Sequence, residues 1–229
     1  MKRVDIILPV YNAEIFLPET LNAIATQTYP MWTLWVVNDG STDRSLEIIW
    51  NFARVIGDFP GSFQRVKVFN GHHQGVSAAR NYAKDLIMQW GEGELIALVD
   101  SDDIWRPTHL WRSVEHFDKH PDIDFFYSDC DFKFSDGSKA FPYGIEQHPF
   151  LNPIYTSTVM FKKKCFSVGD FDSRIEGRED WDMWVRMKNA GYVFYYLNEI
   201  LTVYTVRSNG VAGTWNEEKN KIFNDKRWE

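Results

Sequence analysis

Cysteine is nearly missing from this chain: Cys130 and Cys165 are the only two in 229 residues. Two cysteines make neither a disulfide framework nor a metal-ligand set, and both lie in apolar stretches that read as buried free thiols of a reducing compartment. Long runs of positive charge are missing too. The net charge is −7, with 25 Lys and Arg against 32 Asp and Glu, so no basic face exists for a nucleic-acid backbone. No apolar run is long enough to span a bilayer. The opening MKRVDIILPVYN is charged and then apolar, but its apolar part ends at Pro9, which reads as a first strand and not a signal peptide. Glycine supplies no Gly-x-Gly-x-x-Gly fingerprint, and there is no internal repeat, low-complexity tract or interdomain linker. A cytoplasmic protein is expected, with peripheral contact at the inner face of the plasma membrane still open.

Aromatics, in contrast, are abundant at 16%, with ten Trp. Most are expected in the core. Some could line a cleft, because flat apolar sugar faces stack on aromatic rings. The first hundred residues alternate apolar β-branched runs with helical spacing. Strands are expected at Val4–Leu8, Leu34–Val37, Val66–Phe69 and Leu95–Val99, and helices at Ile15–Gln27, from Ser41 or Thr42 through Phe52, and at Ser77–Trp90. Runs apolar on both faces and separated by helices imply a mostly parallel sheet flanked by helices. The second half is mixed α+β. A helix is expected at Thr108–Lys119, strands at Phe125–Phe134, Ser138–Phe141 and Thr156–Phe161, and a loop at Tyr143–Pro153. Then come a helix at Trp181–Asn189 capped by Gly191, strands at Tyr192–Leu197 and Leu201–Val206, and a helix or tail over 214–229. One α/β domain over 1–213 accounts for this pattern.

Ligands of open parallel sheets bind at the carboxyl ends of strands. The polar clusters of this chain fall there: Tyr11-Asn12, Asp39, and Asp100-Ser101-Asp102-Asp103. In an extended segment Asp100 and Asp102 face the same way. Two such carboxylates repel unless a cation joins them, and Mg²⁺ or Mn²⁺ would leave positions for substrate phosphates. An isolated Asp-x-Asp also reads as a solvated acidic turn, but this one directly follows the buried run Leu95–Val99. Asp39 could bind a base or ribose, whereas Ser41, Thr42 and Asp43 also read as a helix cap. Arg80, in Gly75–Asn81, could reach a phosphate or Asp100, or simply lie on the surface. His72 and His73 are adjacent and read as loop residues. Glu179-Asp180-Trp181 opens a helix. Acids there favour the helix dipole, and the other reading is a general base. The dipole would lower the Asp180 pKa and Glu179 would raise it.

Taken in order, VDIILPVYN (4–12), VVNDGSTD (36–43), GVSAARN (75–81), LVDSDD (98–103) and Glu179-Asp180 resemble the family 2 glycosyltransferases over about residues 4 to 206. The resemblance implies the GT-A fold and inverting transfer of a sugar from a nucleotide diphosphate, UDP being the family's preference, to a glycan or lipid-linked acceptor. It implies a nucleotide-binding half over 1–105 and an acceptor-binding half over 106–213. Pro9, Tyr11 and Asp39 would hold base and ribose, with Arg80 nearby and Asp100-Ser101 on the donor. Asp102, aided by Asp100, would ligate the metal. Asp180 would be the base, with Glu179 beside it. Thr156, Ser157, Thr158 and Trp181 would lie by the donor sugar or acceptor. Thr205 stands where the family has Arg, and Arg207 where it commonly has His, so Arg207 becomes the candidate diphosphate contact. Two other functions compatible with the acids are a metal-dependent phosphohydrolase and a non-catalytic nucleotide-sugar binding module.

Overall fold

A computed structural model describes residues 1–57, 65–134, 154–175 and 177–207. The expected turn at 135–137, the strand at 138–141, the loop at 143–153 and the helix or tail at 214–229 lie outside the described residues.

Among the described residues eight strands form one sheet: β1 (Val4–Val10), β2 (Trp32–Asn38), β3 (Val66–Asn70), β4 (Leu95–Leu98), β5 (Ile104–Trp105), β6 (Phe125–Phe134), β7 (Val159–Lys162) and β8 (Phe194–Val206). The order is β3-β2-β1-β4-β7-β6-β8-β5. The first four strands are mutually parallel, β7 runs against both β4 and β6, and β8 runs parallel to β6. Five helices cover the two faces: α1 (Leu17–Ala25), α2 (Ser45–Gly57), α3 (Val76–Trp90), α4 (His109–Lys119) and α5 (Glu179–Asn189).

Alternation along the strands decides which helix goes where. Ile6, Leu8, Leu34 and Val36 face one side and pack with Leu17, Leu21, Ile49, Leu110 and Phe117 of α1, α2 and α4. Ile7, Trp35, Val37 and Leu98 face the other and pack with Ala79, Ala83, Ile87, Met183 and Trp184 of α3 and α5. Burying each large apolar side chain is worth roughly 1.5–3 kcal/mol, against ~0–1 kcal/mol for an exposed ion pair, so these two cores set the fold.

Strand order reverses between β1 and β4, and Pro9 sharpens the split there. Odd residues of β1 bond toward β4: the Val99 N–H donates to the Ile7 carbonyl. The next rung would need an N–H on residue 9, which proline lacks. Toward β2 the ladder continues, with the Asp39 N–H donating to the Val10 carbonyl. A crevice therefore opens at the carboxyl ends of β1 and β4, where open α/β sheets bind ligands.

Four local readings are corrected. Thr156–Thr158 is a 3₁₀ turn and not the start of a strand, because the Thr158 N–H and hydroxyl both close on the Tyr155 carbonyl. The two strands expected at 192–206 are one, β8, which absorbs the polar Asn198-Glu199 as an irregularity in its register with β6. The two-residue strand β5 adds to the far edge of β8. The cap of α2 is neither Ser41 nor Thr42 but Asp43, whose Oδ1 accepts the Ser45 N–H at 2.9 Å. Ser41 and Thr42 bond Asn12 instead. Cys165 is buried as expected, while Cys130 is only half-buried, and both are free thiols. Among the described residues no helix is long and apolar enough to cross a membrane.

Candidate active site

The crevice is organised by Arg80, on the second turn of α3. Its guanidinium is 3% exposed and joins two distant acids: Nη2 donates to Asp100 Oδ1 at 2.7 Å and Nη1 to Glu179 Oε1 at 2.8 Å. The ring of Phe171 lies 5.6 Å from its Cζ. Burial alone would lower the pKa of this group, but the Asp100 and Glu179 carboxylates outweigh it, so Arg80 stays a fixed cation. Thus the acids after β4 and those opening α5 share one centre.

After β4, each acid is held differently. The Asp100 N–H donates to Ser157 Oγ at 2.9 Å. Ser101 is buried, and its carbonyl accepts the Thr20 hydroxyl, which ties α1 to the site. Asp102 pairs through Oδ2 with Arg207 Nε at 2.6 Å. Burial, and then Asp100, outweigh Arg207 and push the Asp102 carboxyl up to about 6. Asp103 is fully enclosed. Its Oδ1 accepts the Thr205 N–H at 2.8 Å, and its Oδ2 accepts the Ser157 hydroxyl. Burial, Asp102 and Asp100 raise its carboxyl well above the ordinary range. The Thr205 hydroxyl also donates to the Asp102 carbonyl. Thr205, standing where the family has Arg, fastens the acidic turn to β8, and Arg207 two residues on supplies the cation.

At the start of α5, Asp180 Oδ2 accepts the Thr156 hydroxyl at 3.0 Å, and Oδ1 accepts the Trp181 N–H. Burial comes first and Glu179 second in pushing this carboxyl up to about 7, against the pull of Arg80. Glu179 thus acts in the direction expected of a like charge, second to burial. Thr156 is the member of its trio placed by the base. Ser157 and Thr158 are fully buried and bonded inside the protein, so they brace the site and present no surface to a sugar. Trp181 is half-buried and packs against the second core.

Asp39 joins this group through α3 and not by contact. Its carboxylate accepts the N–H groups of Gln74 at 3.0 Å and Gly75 at 2.8 Å, which seats the loop entering α3. Gly75 takes φ +92°, a left-handed value that suits glycine, and lets that loop turn into the helix. Over the same loop Tyr11 stacks on His73, ring centroids 3.9 Å apart at 18°. Tyr11 is 41% exposed at the mouth of the crevice. His73 and Asp103 are the site residues missed in sequence. Nothing in residue spacing marks a loop histidine as a stacking partner, or the third of three aspartates as the buried one.

Among the described residues no three His, Cys, Asp or Glu side chains gather to cage an ion. The donor set is Asp100 and Asp102, each with one oxygen on an arginine. Two carboxylates, one of them raised by the other, fit a hard divalent ion that takes its remaining ligands from phosphate and water.

Comparison with known proteins finds relatives in sequence and in fold. A PGL/p-HBAD biosynthesis glycosyltransferase from Mycobacterium bovis (strain BCG) is 26% identical over 222 residues, covering 96% of this chain and 81% of that protein. The Staphylococcus aureus TarS 1–349 structure in complex with UDP-GlcNAc superposes with a TM-score of 0.71 at 22% identity, over 93% of this chain and 61% of the other. A Pyrobaculum calidifontis mannosyltransferase bound to GDP-Man and Mn²⁺ gives a TM-score of 0.71 at 18% identity, over 92% and 59%. The chain thus spans about three fifths of these solved chains, whose likeness is one of fold, the GT-A architecture. The sequence model described as Glycosyl transferase family 2 matches residues 5–171, and the chain belongs to that family.

Proposed function

We propose that this chain transfers a sugar from a nucleotide diphosphate, UDP being favoured, to a hydroxyl of a glycan or lipid-linked acceptor, with inversion at the anomeric carbon. The observation that carries the reading is the Arg80 bridge, which sets an acidic strand end and a carboxylate poised near neutrality in one crevice. Residues 1–105 bind the nucleotide: Pro9, Tyr11 and Asp39 border base and ribose, with Arg80, Asp100 and Ser101 behind the donor. The rest, to 213, serves the acceptor.

Asp180 removes the acceptor proton as its oxygen attacks. A carboxylate with a pKa near 7 is half ionised at neutral pH, which suits a general base. Glu179 raises that value while Arg80 keeps Glu179 in place. The Thr156 hydroxyl orients the carboxylate toward the acceptor. Asp102, with Asp100, would hold Mn²⁺ or Mg²⁺, which neutralises charge on the departing diphosphate. Arg207 adds a cation there and is freed from Asp102 as the phosphates arrive.

The test is thermal unfolding with UDP, GDP and their sugars, with Mn²⁺ or with chelator. A ligand at ~100 times its dissociation constant adds about 2.7 kcal/mol. A shift with UDP that requires metal is expected, and it should disappear in Asp102→Ala. A full shift in chelator, or in that variant, overturns the metal assignment.

A further inference from the structure

We propose that Phe132, Tyr155 and Tyr204 form an aromatic wall that receives a pyranose ring of a glycan acceptor beside Asp180, an assignment that rests on the transferase reading above. Phe132 and Tyr204 are direct partners across β6 and β8. Tyr155 leans on both, with centroids 5.3 Å from Phe132 at 78° and 4.9 Å from Tyr204 at 48°. Phe132 and Tyr204 stand 5.9 Å apart at 69°. All three rings are half-buried, unlike the core rings Phe125, Phe126 and Phe161, which have no exposure.

The wall is anchored at both ends to the chemistry. Tyr155 precedes Thr156, whose hydroxyl meets Asp180. Tyr204 precedes Thr205, which holds Asp102 and Asp103. A tyrosine hydroxyl donates a hydrogen bond as well as accepting one.

This chemistry selects a sugar. A ring edge or face offers the apolar C–H surface of a pyranose something to stack on, while the hydroxyl donates to a sugar oxygen. An acyl or prenyl chain would leave the Tyr204 hydroxyl buried without a partner, which is costly. Trp181, the aromatic residue nearest the base in sequence, packs against the core instead.

The experiment incubates the full chain, loaded with UDP and Mn²⁺, on an array of immobilised hexose and N-acetylhexosamine oligosaccharides. Vesicles carrying a polyprenyl phosphate are assayed in parallel. Tyr155→Leu and Tyr204→Leu keep bulk but remove the flat ring and hydroxyl, and Tyr204→Phe removes only the hydroxyl. Unfolding without ligand reads folding, and the UDP shift reads the donor pocket. The expected result is glycan retention that falls roughly tenfold in each Leu variant and less in Tyr204→Phe, with both unfolding readouts preserved. Retention on no glycan, equal retention by folded Leu variants, or retention only on the lipid overturns the wall while the UDP shift stands. A wild-type chain with no UDP shift overturns the transferase reading, and the wall falls with it.

Discussion

Arg80 stands between two sets of acids that look alike in sequence and differ in the folded chain. Asp100, Asp102 and Asp103 follow β4, and Glu179 and Asp180 open α5. Asp103 is buried against a backbone N–H and a serine hydroxyl that belong to other elements, so it is structural. Asp180 is raised as well, but it leans on a threonine hydroxyl at a crevice wall. Burial therefore does not separate a bracing acid from a reactive one. The partners differ: Asp103 ties the acidic turn to β8 and to Ser157, whereas the partners of Asp180 include the Thr156 hydroxyl and the N–H of the next residue on its own helix.

The sharpest way to break this contrast is at the base. Asp180→Asn should lower sugar transfer by ~10²–10⁴-fold while the UDP-dependent unfolding shift persists, and steady-state product formation beside that shift checks it. Arg80→Met comes next, since it leaves Asp100 and Glu179 without their shared cation. A loss of ~3–5 kcal/mol is expected, a fall in melting temperature of roughly 6–20 °C for a chain of this size. Scanning calorimetry reads it, and a variant that melts like the parent would remove Arg80 from the centre of the argument.

Ser157→Ala probes the bracing side. It strips a hydrogen bond from both the Asp100 N–H and the buried Asp103 carboxylate. The expected cost is about 1–3 kcal/mol in urea unfolding, with general-base behaviour unchanged in the pH profile.

The pH dependence sharpens the other side. The Asp180 carboxyl is near 7 in the folded chain and near an ordinary ~3.9 when unfolded, so the folded form binds more protons between those values. Stability contributed by this group is present below about 4 and is lost as pH rises through about 7. Activity should rise over the same upper limb, and Asp180→Asn should make the fall in melting temperature across it shallower, the remainder coming from the raised Asp102 and Asp103 carboxyls. The smallest effect belongs to Arg207→Ala. Its pair with Asp102 is partly exposed, so less than ~1 kcal/mol of stability should change, yet the UDP shift should weaken.

The repeating part of the fold was legible because it is local. Apolar periodicity located β1 to β4, α1 to α5 and β6, with ends differing by a few residues. What could not be read locally was wherever a side chain replaced a backbone partner. The hydroxyl of Thr158 helped close the first three residues of an expected strand into a turn, and of the cap candidates Ser41, Thr42 and Asp43 it is Asp43 that bonds the start of α2. The site was half visible in the same sense. Acids at strand ends announce a crevice, and Arg80 was already a candidate partner of Asp100. Its second bond, to Glu179 ninety-nine residues away, belongs to the folded chain alone. The enclosure of Ser157 likewise follows from three segments meeting, which no one of them encodes.

Pro9 shows how a binding place can arise by subtraction. A residue with an amide hydrogen there could stitch β1 to the carbonyl of Val99, and the seam would run one step further toward Asp100. The seam between β1 and β4 thus stops one rung short, just before Asp100. Replacing proline with any other amino acid tests whether that doorway narrows before a single acid has been touched.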